Sequence, residues 1–435
     1  MRYLLFWLPV LAACSIEQDD ALDDAGDIDV TEAAVGVPPL LHVAGVGFAN
    51  ASGSEVVLRG VDVQGDAPAS VYQQAAELGA NFLRVVVHWD EAEIAAPTGS
   101  GSNFASYTHQ LNATYLAKVD ALVGWAEAHH IHVLIDFHQA SWSPYFGGFG
   151  GVPRWYYQDH RFAGGKYAAG SSSPDKGRAI AAFWTTEAGM SQALFKAFAQ
   201  LMVRRYSAFA NVVGYEIFNE PNPGNMSGSG TAKTATMTRW QVPIRDAIFA
   251  LDGRRAIFFM HRGGGSGVGS ADWSVWGNMP AHHMVLDVHA YFTGEAPGKN
   301  ASHPGDVGLD AAGDDWFPDP GAATHNNLRN TGAGGTNYHG SQQDQEALHS
   351  VWIAKAHAAG IPLILGEWGC NENDTGNAAY HSQVVRAAAK VGLSWSRWQL
   401  ASASSGSASL NLSRGTTSFN NLKALLATVP AGTAH

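Results

Sequence analysis

Eight short runs of apolar and β-branched residues recur along this chain. They fall at 56–63, 81–87, 132–138, 212–219, 256–261, 284–291, 362–367 and 393–400, with helical patterns between them at 68–78, 115–128, 179–206, 342–358 and 378–391. Strand and helix repeated in this way bury each strand under helices, and eight units in a row predict an α/β fold, a (β/α)8 TIM barrel. The helical pattern is faintest after the fifth strand. Ahead of the first strand, residues 42–50 and 55–58, joined by Ala51-Ser52-Gly53-Ser54, read as a β-hairpin that would close the barrel floor. With 435 residues and 46% hydrophobic content, the chain can bury one such core and keep long loops; no second domain is needed.

The first 36 residues read as export machinery rather than fold. Arg2 precedes the apolar stretch 3–13, which is too short to span a bilayer as a stable helix and fits the apolar core of a signal peptide. Leu11-Ala12-Ala13-Cys14 resembles a bacterial lipoprotein box, in which Cys14 becomes the lipidated first residue after cleavage. The expected organisation is a signal at 1–14, an acidic disordered tether at 15–36 and one folded domain at 37–435. Such a protein is exported, either secreted or held at the cell envelope, and meets the membrane only through lipid on Cys14. The formal net charge is -12, but eight acids lie between Glu17 and Glu32, so the rest is nearer neutral and carries no basic nucleic-acid footprint. In a processed chain Cys370 has no intramolecular disulfide partner, so the core must supply stability. Nothing suggests a coiled-coil seam, and a monomer is expected.

Two glutamates stand at strand ends. Glu220 ends the run that begins at Val212 and Glu367 the run that begins at Pro362, each at the rim where a parallel barrel puts its chemistry. Facing carboxyls are what hydrolysis of a glycosidic bond requires, one to protonate the leaving oxygen and one to attack or to activate water. Gly-rich segments at 139–177, 222–236 and 293–340 follow the third, fourth and sixth strands on that rim. They carry Trp142, Tyr145, Phe146, Trp155, Tyr156, Trp316 and Phe317, rings that can stack on a sugar or pin the loops; Trp142, Trp155 and Trp316 are the candidate sugar contacts. Asp306, Asp310, Asp314, Asp315 and Asp319 match no EF-hand spacing. Adjacent pairs such as His129-His130 and His282-His283 do not share a face, so a metal held between them is not expected, and glycosidic hydrolysis by two carboxyls needs no metal or organic cofactor.

Asn219-Glu220-Pro221 at the fourth strand and Glu367 at the seventh resemble the retaining (β/α)8 glycoside hydrolases, specifically glycoside hydrolase family 5, the cellulase-like family. The opening Val57-Leu58-Arg59-Gly60-Val61-Asp62 is similar to that family's first strand, and Arg84, His138, His289, Tyr291 and Trp398 match its remaining active-site positions. The resemblance implies Glu220 as general acid/base, its pKa raised by burial and by neighbouring negative charge. It implies Glu367 as nucleophile, kept ionised by Arg84 and by the Tyr291 hydroxyl. Asn219 would donate to the sugar 2-hydroxyl, His138 and His289 would bind hydroxyls or orient the carboxylates, and Trp398 would floor the sugar being cleaved. Trp395 lies an odd three residues away, and alternation alone does not say which ring faces the cleft.

The substrate implied is a β-linked glycan, cut internally as by an endo-β-glucanase. A second resemblance points to endoglycoceramidases of the same family: His138-Gln139 followed by Gly151-Val152-Pro153-Arg154-Trp155, and Asn219-Glu220-Pro221-Asn222-Pro223-Gly224. Those enzymes usually place an acid where this chain has Ala140, and they carry a C-terminal β-sandwich for which few residues remain after Leu400. An exo-acting β-glycosidase is a further alternative. A carbohydrate-binding barrel without catalysis would keep the aromatics but would need neither carboxylate. Zincin, P-loop and zinc-ribbon motifs are missing from the sequence.

Overall fold

The computed structural model describes residues 40–262, 273–292, 342–370, 377–401 and 410–431. Two units divide the chain, Met1–Val35 and Gly36–His435, and every described residue lies in the second. Cys14, the expected signal and tether, and residues 293–340 with Trp316, Phe317 and their aspartates, lie outside the described residues.

Eight parallel strands close a barrel: β3 (Arg59–Gln64), β4 (Phe82–His88), β5 (His132–His138), β6 (Val212–Glu216), β7 (Ala256–Phe259), β8 (Met284–Phe292), β9 (Leu363–Cys370) and β10 (Ser394–Leu400), with β10 pairing to β3. This is the expected (β/α)8 fold. Helices Ala113–Ala128, Ala188–Tyr206, Gln342–Ala358 and Asn377–Lys390 lie between the strands as the periodicity predicts. The pattern at 179–206 resolves into two helices, Lys176–Trp184 and Ala188–Tyr206. The break falls where Thr185 leaves helical geometry and Glu187 turns to accept from Tyr156, Lys166 and Tyr167. A helix at Gly230–Leu251 begins inside the expected 222–236 loop, started by Ser229, whose hydroxyl accepts the Ala232 N–H. After β7 the described residues hold only 3-10 turns, Trp273–Trp276 and Pro280–His282.

The N-terminal hairpin forms with a different register. β1 (His42–Ala44) pairs with β2 (Gly47–Ala49) around Gly45, whose φ of +61° suits a residue without a Cβ. The expected partner strand at 55–58 contributes only the bridge between Ala49 and Glu55 and the bond from Val56 N–H to Phe48. The floor role holds: Phe48 stacks on Phe258 and, with Leu41, caps a layer of Leu58, Phe82, Leu134, Val213, Val285 and Ile364 inside the barrel.

Above that apolar floor, the two-residue period of a strand lifts different chemistry into the lumen. Phe82 is followed on the same face by Arg84, Leu134 by Asp136 and His138, and Val285 by Asp287 and His289, while Val85, Ile135 and Val288 face the helices. The barrel is therefore apolar at the bottom and ionic at the top.

Candidate active site

Arg84 is the hub. It is fully buried, with Nε donating to Glu216 at 2.8 Å, Nη1 to Glu367 at 2.7 Å and Nη2 to Asn219 at 2.8 Å; Asp62 and Asp136 lie within 3.4 and 3.2 Å. A planar fork with five donors is the side chain that can hold three partners in fixed directions at once. The surrounding carboxylates keep its pKa well above the ordinary value against the desolvation that opposes it.

Glu367 reaches this hub through an irregularity in β9. Val288 pairs with Leu365 and His289 with Glu367, so Gly366 is an extra residue, a β-bulge. Ile364 faces the lumen and Leu365 the helices; the bulge then lets Glu367 face the lumen as well, while Trp368 packs outward on Trp395 and Tyr380. A regular strand would have turned this carboxylate away from the site.

Glu220 lies four residues past the end of β6, in a left-handed conformation with φ of +42° that a glutamate rarely adopts. Gln139 holds the turn: its Nε2 donates to the carbonyls of Asn219 at 3.1 Å and Glu220 at 2.8 Å, and its Oε1 accepts the Trp142 N–H at 2.8 Å. Backbone strain concentrated at one acid, held by a buried amide, is a mark of a functional position. Burial raises the Glu220 pKa, although His138 and Arg84 oppose the shift, and 31% of the side chain remains open to the cleft.

His289 joins the two acids. Its Nδ1 lies 2.8 Å from Glu220 Oε1 and 3.3 Å from Glu367 Oε2, and one oxygen of each acid with a nitrogen of His289 all lie within 4.8 Å of one another. His138 Nδ1 lies 2.6 Å from Asp136, leaving Nε2 to accept from Asn219 Nδ2 at 3.3 Å. Burial holds both imidazoles neutral, with pKa values lowered to about 3. Asn219, the expected donor to a sugar hydroxyl, has its amide Nδ2 3.0 Å from the Gln139 carbonyl and 3.3 Å from His138 Nε2, and its Oδ1 accepts from Arg84.

The aromatic expectations divide. Trp398, 9% exposed, stacks on His138 with centroids 5.2 Å apart, whereas Trp395 packs among Trp368 and the helices; the ring at the cleft is Trp398. Trp142 does not sit in the cleft: it is 1% exposed, enclosed by Phe183, Trp184 and Phe218, and donates to Tyr157. Trp155 is 6% exposed, bonded to the Glu93 carbonyl and packed on Trp89, and its edge walls an adjacent groove beside Asp90, Glu91 and Lys118. Both rings pin the long loop because large aromatic surface gains more from burial than from exposure. The ring this loop leaves open is Phe149, 74% exposed. Tyr291 lies in β8, opposite Gly369 of β9.

Two groups have the spacing of metal ligands, Glu216 with Asp287 and His289, and Glu220 with His289 and Glu367. The second is the acid pair itself. Gln139, Asp62, Asp136, Glu216 and Asp287 also line the site, beyond the residues that the sequence motifs mark. Their signal was present, since Asp136 and Asp287 stand two residues before His138 and His289, on the same strand face.

The chain is similar to solved structures across most of its length. An endogalactoceramidase matches with a TM-score of 0.60 and 20% identity over 83% of this chain and 75% of that one. Endo-glycoceramidase II from Rhodococcus sp., as a lactosyl-enzyme intermediate, matches with a TM-score of 0.57 and 20% identity over 87% and 81%. Endoglucanase Cel5A from Pseudomonas stutzeri matches with a TM-score of 0.55 and 13% identity over 89% and 98%. No curated protein matches the sequence. The profile of the Cellulase family, glycosyl hydrolase family 5, matches residues 49–404, which takes in every strand of the barrel and both acids. The chain therefore belongs to glycosyl hydrolase family 5 and is a glycosidase.

Proposed function

We propose that this glycosidase is a retaining enzyme that cleaves β-linked glycans internally by double displacement. The observation that carries the reading is the closeness of Glu220 and Glu367, whose nearest oxygens lie within 4.8 Å. Carboxyls about 5 Å apart leave room for the anomeric carbon but not for an intervening water, which is the geometry of retention; inversion needs roughly 6.5–9.5 Å. Glu220, with its raised pKa, gives its proton to the leaving oxygen, and Glu367, held by Arg84 Nη1, attacks the anomeric carbon. Glu220, now ionised, then takes a proton from the water that releases the sugar, and the cycle closes. The lactosyl-enzyme intermediate of the Rhodococcus relative supports a covalent step on this fold.

An endo-β-glucanase is the leading assignment. Endoglycoceramidase-like cleavage is the second, favoured by the likeness to two ceramidase structures and by Gln139, which ties the third-strand loop to the acid turn. Export with lipid on Cys14, and action as a monomer at the cell envelope, complete the proposal. The test is hydrolysis of a panel of β-glucans, mannans, xylans, galactans and glycolipids, with proton NMR of the first-formed product. Retained anomeric configuration is expected; an inverted product would refute the mechanism.

A further inference from the structure

Beneath the acid pair, the barrel carries more carboxyls than the reaction uses. Asp62, Asp136, Glu216 and Asp287 are each 0% exposed, on four different strands, and surround the same guanidinium that serves Glu367. Were all five ionised, five negative charges would share one positive charge away from water, which burial does not sustain. The oxygens that no donor reaches mark where protons fit. Asp136 Oδ1, Glu216 Oε1 and Asp287 Oδ2 are buried without a hydrogen-bond donor, Asp136 stands in register with Glu216 on the neighbouring strand, and an oxygen of Glu216 lies within 4.8 Å of one of Asp287. Buried carboxyls crowded this closely cannot all ionise, so some of them keep a proton.

The row also touches what places the nucleophile. Asp287 Oδ1 accepts the Gly366 N–H at 2.8 Å, which the bulge leaves outside the strand ladder, and a Cβ on Gly366 would lie 2.1 Å from Asp287 Oδ2. Glu216 Oε2 accepts from Arg84 Nε at 2.8 Å on the opposite side of the guanidinium from Glu367.

We propose that Asp136, Glu216 and Asp287 form a proton-sharing carboxyl row that positions Glu367 by gripping Arg84 and the Gly366 bulge, and that mutual repulsion drives the row apart, and the nucleophile out of place, once it loses its protons. The inference rests on Glu367 as nucleophile. The groups facing the row are Asp62 from β3, Arg84 from β4, His138 from β5, Glu220 beyond β6, His289 from β8 and Glu367 from β9. β7 contributes no titratable side chain, and Arg397 of β10 lies over the Trp368 ring on the outer side. Burial, opposed by Arg84, pushes Asp136 and Glu216 up to about 7 and Asp287 well above the usual carboxylate range.

The test uses 2,4-dinitrophenyl β-cellobioside and β-lactoside. Asp287→Asn keeps the acceptor for Gly366 and replaces the proton with a permanent donor, so kcat near pH 5 should stay within about threefold while the alkaline limb of the profile moves upward. Asp287→Leu removes both contacts, and kcat should fall about 100-fold with KM little changed. An alkaline limb in Asp287→Asn that is unmoved, or moved downward, overturns the proposal. Infrared spectroscopy reads the row without turnover: wild-type protein at neutral pH should show the C=O stretch of a protonated carboxyl, weakened in Glu216→Gln and Asp287→Asn. No such band would also overturn it. Wild-type protein inactive on both glycosides would count against the catalytic reading instead, and the infrared band would still decide the row.

Discussion

Replacing Arg84 by lysine keeps the charge and removes the fork. The guanidinium reaches Glu216, Glu367 and Asn219 from three different nitrogens at 2.7 to 2.8 Å, and an ammonium on a shorter arm can satisfy one of them well. Loss of a charge-assisted hydrogen bond to the nucleophile costs about 2–3 kcal/mol, which is about 30- to 150-fold in kcat. Stability should fall less, since the buried charge remains. Arg84→Met separates the two effects: it strands Asp62, Asp136, Glu216, Asp287 and Glu367 without their cation, at a cost of about 3–5 kcal/mol near pH 7. That loss should shrink at pH 5, where protonation removes the need for the cation. Steady-state kinetics on an aryl β-glycoside and urea unfolding at the two pH values measure both. An Arg84→Lys enzyme within threefold of wild type, or an Arg84→Met protein equally weakened at both pH values, would contradict a guanidinium hub that balances these carboxyls.

Trp142→Ala should cost about 3–5 kcal/mol of unfolding free energy and leave KM unchanged in the folded fraction, as urea titration and kinetics together would show for a ring that packs rather than binds. Gln139→Ala strands the carbonyls of Asn219 and Glu220 and frees the strained turn; kcat should fall about 10- to 100-fold with thermal stability nearly kept, checked by kinetics beside a melting curve. Asp136 and Glu216 have folded pKa values raised to about 7, so their contribution to stability is complete below the unfolded values near 4 and is lost as pH rises through 7. Unfolding free energies from urea titration should therefore fall between pH 5 and pH 8, by on the order of 5 kcal/mol; a rise would contradict the buried row.

The barrel was legible because its strands are buried under helices and spell themselves as apolar runs with helical patterns between them. The acid pair was legible because each carboxylate ends such a run. What escaped has a physical cause in each case. Trp142 and Trp155 lie on a long loop, and loop position does not reveal whether a ring folds inward. The hairpin register turned on Gly45, which competed with a more polar turn four residues long. Glu216, Asp62, Asp136 and Asp287 sit inside runs that read as core, and only the two-residue period shared with Arg84, His138 and His289 betrays them. The bulge at Gly366 is invisible to alternation, which would have pointed Glu367 outward.

In the proposed reaction Glu367 attacks a sugar whose leaving oxygen Glu220 protonates. Incubation with a 2-deoxy-2-fluoro aryl β-glycoside, followed by proteolysis and mass spectrometry, should find one covalent glycosyl adduct, on the peptide containing Glu367 and on that carboxylate. A label on Glu220, or turnover with inversion and no label at all, would contradict it.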